Sequence, residues 1–264
     1  MNEKLYGYMN WPRIEAIVYG EETAPRDVMG PRITPDGVLI QGFFPGADEV
    51  SVISENKTYV CEKEDEAGYF AVLLPVHKVP KYKFSIKTGE IETESYDPYA
   101  FPCQITEEEE KQFCAGVYYE AYKKLGAHPM EINGVKGTLF AVWAPNAISV
   151  NIAGDFNEWI GRATIMHRMP MSGIFELFVP GVEVGTHYKY EIKVKGGEVL
   201  LKADPYGNSA DHDPEGASVV ADVSAFQWND GDWMKERSRF DDRKQPVSIY
   251  ETSLEEWKIG RAHV

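Results

Sequence analysis

The chain has 264 residues, 43% of them hydrophobic and 26% charged, and its formal net charge is −15. This length is sufficient for about two domains, and the composition is that of a folded globular protein. The negative charge would repel nucleic acid and anionic membrane surfaces, so we expect neither as a partner, whereas a neutral polymer is compatible with it.

The amino-terminal extension, residues 1–20, has no apolar core of the kind that a signal peptide requires. The apolar stretches of the chain are all far shorter than the ~20 residues that span a bilayer. We therefore predict a cytoplasmic protein. The three cysteines, Cys61, Cys103 and Cys114, lack metal-site spacing, so we expect free thiols, no metal and no cofactor.

An internal repeat of about one hundred residues organises the rest of the chain. Similar blocks recur in the same order, namely 37–50 with 137–150, 68–75 with 173–180, 82–84 with 188–190, and 97–99 with 204–206. Four ordered blocks predict two copies of one module.

Each copy has the pattern of short β-strands. Tyr188 and Tyr190 alternate with Lys189 and Glu191, which is the period of two expected for a strand with one buried face. Strands of this length, separated by turn residues, are typical of an all-β sandwich. We predict two tandem immunoglobulin-like β-sandwiches, at residues 21–105 and 129–225.

One α-helix is predicted between the sandwiches, over residues 106–128. Thr106 and Glu109 have capping-box spacing, and the run of glutamates suits the positive end of a helix dipole. Apolar residues then recur every four positions at Phe113, Val117, Ala121 and Leu125, and Gly126 follows as the expected stop. The glutamates at 107–110 are expected to be solvated.

Several blocks resemble the 1,4-α-glucan branching enzymes. Residues 122–128, which contain Leu-Gly-Ala-His, and 137–147 resemble the beginning of the second sandwich of that family, and the resemblance continues at 154–159, 172–181, 188–192 and 202–206. The earlier copy resembles the family's amino-terminal sandwich. Residues 246–251 resemble the first strand of its (β/α)8 catalytic barrel.

The resemblance implies that the full-length enzyme cuts an α-1,4-glucan chain and transfers it to a 6-hydroxyl during glycogen biosynthesis. The family's catalytic carboxylates lie beyond the first barrel strand, so we assign no catalytic residue here and expect the missing barrel as an intramolecular partner. The connector 226–264 contains Trp228 and Trp233, which are expected to pack against that barrel. Residues 259–264 spell one reading frame of a common DNA-sequencing adapter, so we expect this tail to be non-native.

The second sandwich also resembles family 48 carbohydrate-binding modules. By that resemblance Trp159 and Lys189 would contact glucan, and Asn157 could add a hydroxyl contact from the same loop. The alternative is that Trp159 packs its own loop and Lys189 is an ordinary strand residue. A second tryptophan, expected just before Asp204, is replaced by residues 196–200 without an aromatic ring.

The sequence also bears on the role of the first copy, on Trp143 and on alternative functions of the whole chain. The first copy keeps Lys83 but has no tryptophan loop, so we expect it to act as a spacer. Trp143 is expected to pack in a core or between domains. The chain could also be a freestanding glucan-binding module, or a piece of a debranching or trehalose-forming relative, although the barrel-like strand argues against a freestanding module.

Overall fold

The computed structural model describes residues 3–55, 57–212, 216–224, 226–240, 244, 246 and 248–251. The first elements in chain order are α1 (Glu3–Tyr8), α2 (Trp11–Val18), β1 (Gly30–Thr34), β2 (Gly37–Phe43), β3 (Glu49–Ser54), β4 (Lys57–Val60), β5 (Glu62–Asp65), β6 (Tyr69–Leu74), β7 (Lys83–Thr88) and β8 (Ile91–Ser95). The following elements are α3 (Glu107–Cys114), β9 (Gly126–Ile132), β10 (Val135–Trp143), β11 (Ala147–Gly154), β12 (His167–Arg168), β13 (Ile174–Pro180), β14 (His187–Val194), β15 (Val199–Lys202), β16 (Ser209–Ala210), β17 (Ser218–Val219) and α4 (Gly231–Arg237). The fold is therefore mostly β-sheet with few helices.

The strands form two sandwich-like modules, each built from two antiparallel sheets. The first module pairs the sheet β1-β2-β6-β5 with the sheet β4-β3-β7-β8, and its apolar cluster lies between them. The second module pairs β12-β13-β10-β9 with a sheet in which β14 lies between β11 and β17 and also pairs with β15. The strands β1, β2 and β6 correspond in order to β9, β10 and β13, which agrees with the repeated blocks of the sequence.

A tyrosine–aspartate pair recurs in both modules at the repeated positions. The Tyr82 hydroxyl donates to Asp97 at 2.6 Å, and the Tyr188 hydroxyl donates to Asp204 at 2.7 Å. The other carboxylate oxygen of each aspartate accepts the backbone N–H two residues later, at 2.8 Å in both modules. Burial raises the pKa of Asp97 to about 6 and also raises the pKa of Asp204. In the first module the pair holds the residues after β8 close to the start of β7. In the second module it holds the residues after β15 close to β14.

The connection between the modules departs from the predicted helix. The capping box of Thr106 and Glu109 is present, but α3 ends at Cys114, so the helix predicted over 106–128 is wrong beyond that residue. Gly116 follows with a φ of +72°, a left-handed conformation that ends helices. Gly126 begins β9 rather than ending a helix. The apolar stripe survives only in part, because Val117 is exposed while Phe113, Ala121 and Leu125 pack in one cluster.

The expectation that all four glutamates of α3 are solvated is wrong for Glu110, which is 1% exposed. Its Oε1 accepts hydrogen bonds from the backbone N–H of Met171 at 2.7 Å and of Ser172 at 2.8 Å, and from the Ser172 hydroxyl at 2.9 Å. Glu110 therefore fastens α3 to the turn before β13.

The segment between the modules covers the outer face of the β9–β10–β13 sheet. Glu176, on β13, is completely buried and accepts the N–H groups of Gln104 at 2.9 Å and Ile105 at 3.0 Å. The Phe101 ring packs edge-on against Phe178 at 4.9 Å between centroids. Both faces of this sheet are thus buried, which explains why the sequence of its central strands is almost continuously apolar.

The amino-terminal extension is part of the folded unit. Its helices α1 and α2 pack in an apolar cluster with β2 and β6, and that cluster includes Ile165 of the second module. Tyr99 reaches the same region, where its hydroxyl donates to the Ile165 carbonyl at 3.1 Å and accepts the Ile165 N–H at 3.0 Å. The Ser149 hydroxyl donates to the Gly20 carbonyl at 2.6 Å. The two modules are therefore directly joined.

The chain divides into two compact units, Met1–Val223 and Ser224–Val264. In this second unit Trp228 packs edge-on with Phe226, and the Arg237 guanidinium lies 5.3 Å from the Trp233 ring centroid. Residues 248–251, within the predicted barrel strand, are described without strand structure, and the tail 259–264 lies outside the described residues. Among the described helices, none combines the length and the apolar character that crossing a membrane would require.

Candidate functional site

The loop after β11 presents Trp159 at the surface in an unusual backbone conformation. Glu158 and Trp159 are consecutive residues with φ of +53° and +62°, which bulky side chains rarely adopt. The indole is 40% exposed, and its N–H donates to the Asp155 carboxylate at 3.2 Å. The backbone N–H of Trp159 donates to the Gly154 carbonyl at 3.0 Å. The ring is therefore held in place while part of it faces solvent.

Asn157 shapes this loop from the inside. Its side-chain oxygen accepts the Gly154 N–H at 2.9 Å, and its amide N–H groups donate to the Ile152 carbonyl at 2.7 Å and to the Thr164 hydroxyl at 3.0 Å. Both amide protons are thus engaged within the protein, so a sugar hydroxyl could reach only the remaining acceptor capacity of the side-chain oxygen.

Asp155 connects the tryptophan loop to β14. One carboxylate oxygen accepts the Trp159 indole N–H, and the other accepts the backbone N–H of His187 at 2.9 Å and lies 3.1 Å from its Nδ1 atom. The hydrogen bond from the His187 backbone N–H, helped by the ring contacts, lowers the pKa of Asp155. Neither Asp155 nor His187 was identified from the sequence, because an aspartate–histidine pair 32 residues apart gives no local signal.

Lys189 lies two residues after His187 on the outward face of β14. Its partner across the sheet is Ala153, and the lysine is half-buried. The structure thus brings Trp159 and Asn157 into one loop and connects that loop to the strand of Lys189 through Asp155 and His187. The hairpin beyond β14 carries exposed Val199 and Leu201 in place of an aromatic platform.

Trp143 is a second exposed tryptophan of the second module. It ends β10 and is 53% exposed, so the expectation that it packs in a core is wrong, whereas packing between domains stays a prediction. Its indole N–H donates to the Ser172 carbonyl at 2.9 Å, and its ring packs edge-on with Phe113 at 5.8 Å. Trp143 follows six consecutive buried residues, 137–142, but it is the last residue of its strand.

Comparison with known proteins matches two domain families to the two modules. Residues 10–99 match the family model of the alpha-1,4-glucan branching enzyme GlgB, N-terminal domain. Residues 124–207 match Carbohydrate-binding module 48 (Isoamylase N-terminal domain), and this range contains Trp159 and Lys189. The chain carries the amino-terminal domains of GlgB-type branching enzymes.

The curated relatives agree with this assignment. The 1,4-alpha-glucan branching enzyme GlgB of Saccharophagus degradans is 41% identical over 249 residues, covering 93% of this chain and 34% of the relative. The GlgB of Trichodesmium erythraeum is 38% identical over 258 residues, covering 95% of this chain and 33% of the relative. The chain therefore spans about a third of the length of the curated GlgB relatives it matches.

Among solved structures, a pullulanase complexed with maltotetraose from Anoxybacillus sp. LM18-11 aligns with 81% of this chain and 27% of its own. Its TM-score is 0.35 and its sequence identity is 18%. The curated GlgB relatives, in contrast, match 93% and 95% of this chain and so extend over both modules.

Proposed function

We propose that this chain is the amino-terminal part of an enzyme that transfers α-1,4-glucan segments to 6-hydroxyls and so makes the branches of glycogen. Its own role would be weak contact with the glucan and support of the catalytic barrel. The similarity to enzymes named 1,4-alpha-glucan branching enzyme supports the first part of this proposal. The match of residues 124–207 to a carbohydrate-binding module supports the second.

The observation that carries the glucan contact is the fixed, exposed ring of Trp159. A glucose ring has an apolar face that stacks on flat aromatic surfaces, and its hydroxyls need polar groups beside that surface. Trp159 supplies the surface, Asp155 and His187 supply polar groups next to it, and Lys189 lies two residues after His187 on the same strand. We propose Trp159 and Lys189 as direct contacts, and Asn157 as the residue that keeps the loop in shape with at most one further contact.

The size of the exposed surface limits the affinity of this site. An exposed fraction of 40% corresponds to about 100 Å² of a tryptophan side chain. At ~25 cal/mol per Å², covering that area stabilises a complex by about 2–3 kcal/mol. Association alone costs ~4 kcal/mol or more, which the covered ring by itself does not offset. Contacts with the sugar hydroxyls must therefore contribute as well, and one such site binds no more tightly than roughly millimolar, about −4 kcal/mol. The site would act by avidity on a polymer with many chain ends.

The finer architecture belongs to the same proposal. We propose an immunoglobulin-like type for both sandwiches, at about residues 21–105 and 129–225, and a catalytic barrel that begins near residues 246–251 and is the intramolecular partner of this chain. The catalytic carboxylates would lie in that barrel. A cytoplasmic location fits a glycogen-building enzyme.

Native affinity electrophoresis in gels with and without glycogen tests the glucan contact. We expect glycogen to retard the wild-type chain and Trp159→Ala to lose most of that retardation. Trp228→Ala is the matched control, since Trp228 is a tryptophan that is 78% exposed outside the second module. If glycogen retarded the wild type and Trp159→Ala equally, Trp159 would not be a glucan contact.

A further inference from the structure

A cleft of about 770 Å³ opens between the two modules. The first module contributes the end of β3 with Glu55, the segment before β7 and the residues after β8. The second module contributes the β9–β10 turn at residues 133–135. This space, called the inter-module cleft below, has the size typical of small-molecule sites, ~300–1,000 Å³. It exists only because the two modules pack together.

The wall of the inter-module cleft contains an aromatic ring that the packing leaves accessible. Tyr96 follows β8 and is 39% exposed. The Lys83 ammonium lies 5.0 Å from the Tyr96 ring centroid, and it also forms an ion pair with Glu94 at 3.2 Å. These contacts restrict the tyrosine ring, which reduces the entropy that a ligand would have to remove on stacking against it.

The charges of the inter-module cleft balance one another. Lys83 is paired with Glu94, and Asp97 is 2% exposed with both carboxylate oxygens in hydrogen bonds. Lys81 and Glu55, both exposed, have opposite signs. A phosphate or a cation would therefore find no excess of opposite charge, whereas a neutral polyhydroxylated ligand fits this lining.

The repeat relates the inter-module cleft to the site of the second module. Lys83 occupies on β7 the place that Lys189 occupies on β14, one residue after the tyrosine of each tyrosine–aspartate pair. In the second module the aromatic ring comes from the loop after β11. In the first module it comes from Tyr96, and the exposed Asn133 amide approaches from the other module. Both modules thus offer a lysine and an exposed aromatic ring, although the ring comes from a different segment in each.

We propose that the inter-module cleft is a second glucan site, which binds a short run of α-1,4-linked glucose with one sugar face on Tyr96. Lys83 and Asn133 contact hydroxyls of the bound chain. The first module is then a binding element rather than a spacer. The class of ligand rests on the proposed function, whereas the position and lining of the site rest on the geometry alone.

A two-dimensional ¹H–¹⁵N NMR titration of the chain with maltotetraose tests the proposal. We expect shifts at the amides of Lys83, Tyr96 and residues 133–135. Tyr96→Ala should weaken the binding that these amides report by about tenfold. Tyr96→Phe, which keeps the ring, should bind nearly as the wild type does. Tyr119→Ala, at an 85% exposed tyrosine outside the cleft lining, is the control.

The amides around Trp159 report the proposed function separately. Shifts confined to the Trp159 loop would overturn the cleft site and leave the proposed glucan contact standing. Shifts at the cleft without shifts at Trp159 would support the cleft and overturn the assignment of Trp159. Absence of shifts in wild type at both places would overturn both. Equal shifts with cellotetraose, the β-linked isomer, would overturn the choice of an α-glucan.

Discussion

The buried carboxyl of Asp97 should make the first module less stable as the pH rises above 4. Burial raises the pKa of this group from an ordinary value of 3.8 to about 6, and the hydrogen bonds from Tyr82 and the Tyr99 N–H only partly oppose that effect. The folded state therefore holds the Asp97 proton more tightly than the unfolded state does. The resulting stabilisation is complete below pH ~4 and is lost as the pH passes through ~6.

The expected magnitude follows from the two pKa values. A tenfold difference in proton affinity corresponds to ~1.4 kcal/mol, so a pKa of about 6 in place of 3.8 gives a loss of about 3 kcal/mol. Asp97→Asn removes the titrating group but can still bond with Tyr82. The free energy of unfolding of wild type, measured relative to that of Asp97→Asn, should thus fall by about 2.5 kcal/mol between pH 4 and pH 7, because at pH 4 the unfolded-state carboxyl is already about half ionised.

Urea unfolding at half-unit steps of pH, followed by circular dichroism, measures this difference. Asp36→Asn is a control of opposite sign, because the hydrogen bond from Lys4 lowers the pKa of Asp36. The loss in free energy of unfolding caused by Asp36→Asn should therefore become smaller as the pH falls. The Asp97 carboxyl can also be followed directly by ¹³C NMR. A titration midpoint below pH 4, or parallel pH profiles for wild type and Asp97→Asn, would refute the reasoning.

Two further substitutions test how the second module is held together. Glu110→Ala leaves three donors, two of them in buried hydrogen bonds, without their acceptor and should lower the free energy of unfolding by about 3 kcal/mol. Glu108→Ala, at an exposed position, should change it by less than ~0.5 kcal/mol in the same urea titration. Gly137→Ala would place a methyl group against the Val179 carbonyl oxygen. It should lower the free energy of unfolding by about 1–3 kcal/mol and the melting temperature with it. Gly7→Ala is the control, because this position on α1 is in open space, and it should raise the melting temperature slightly.

The features that the sequence predicts correctly have local causes. The alternation of Tyr188 and Tyr190 with charged residues indicates a strand, because successive side chains of a strand point to opposite faces. The capping box at Thr106 needs only residues three positions apart. The repeated blocks predict two modules because each block is one strand or turn of the same unit. Such signals do not depend on how distant segments pack.

The errors arise where distant segments meet. Glu110 looks like one of four solvated glutamates, and only the N–H groups of residues 171 and 172, about sixty positions away, explain its burial. The length of α3 is an exception with a local signal, because Gly116 marks the end of the helix, whereas the apolar residues spaced four apart indicate a longer one. In the site, Trp159 is in the predicted loop, whereas the engagement of Asn157 with Thr164 depends on how that loop closes.

The burial of Glu176 and Glu110 has a practical consequence for anyone who grafts the second module onto another enzyme. The match to the carbohydrate-binding family begins at residue 124, which suggests a natural place to cut. A graft cut there would leave Glu176 without the N–H groups of Gln104 and Ile105, and the turn before β13 without its carboxylate. The smallest portable piece therefore begins before residue 101, so that Phe101 still covers Phe178.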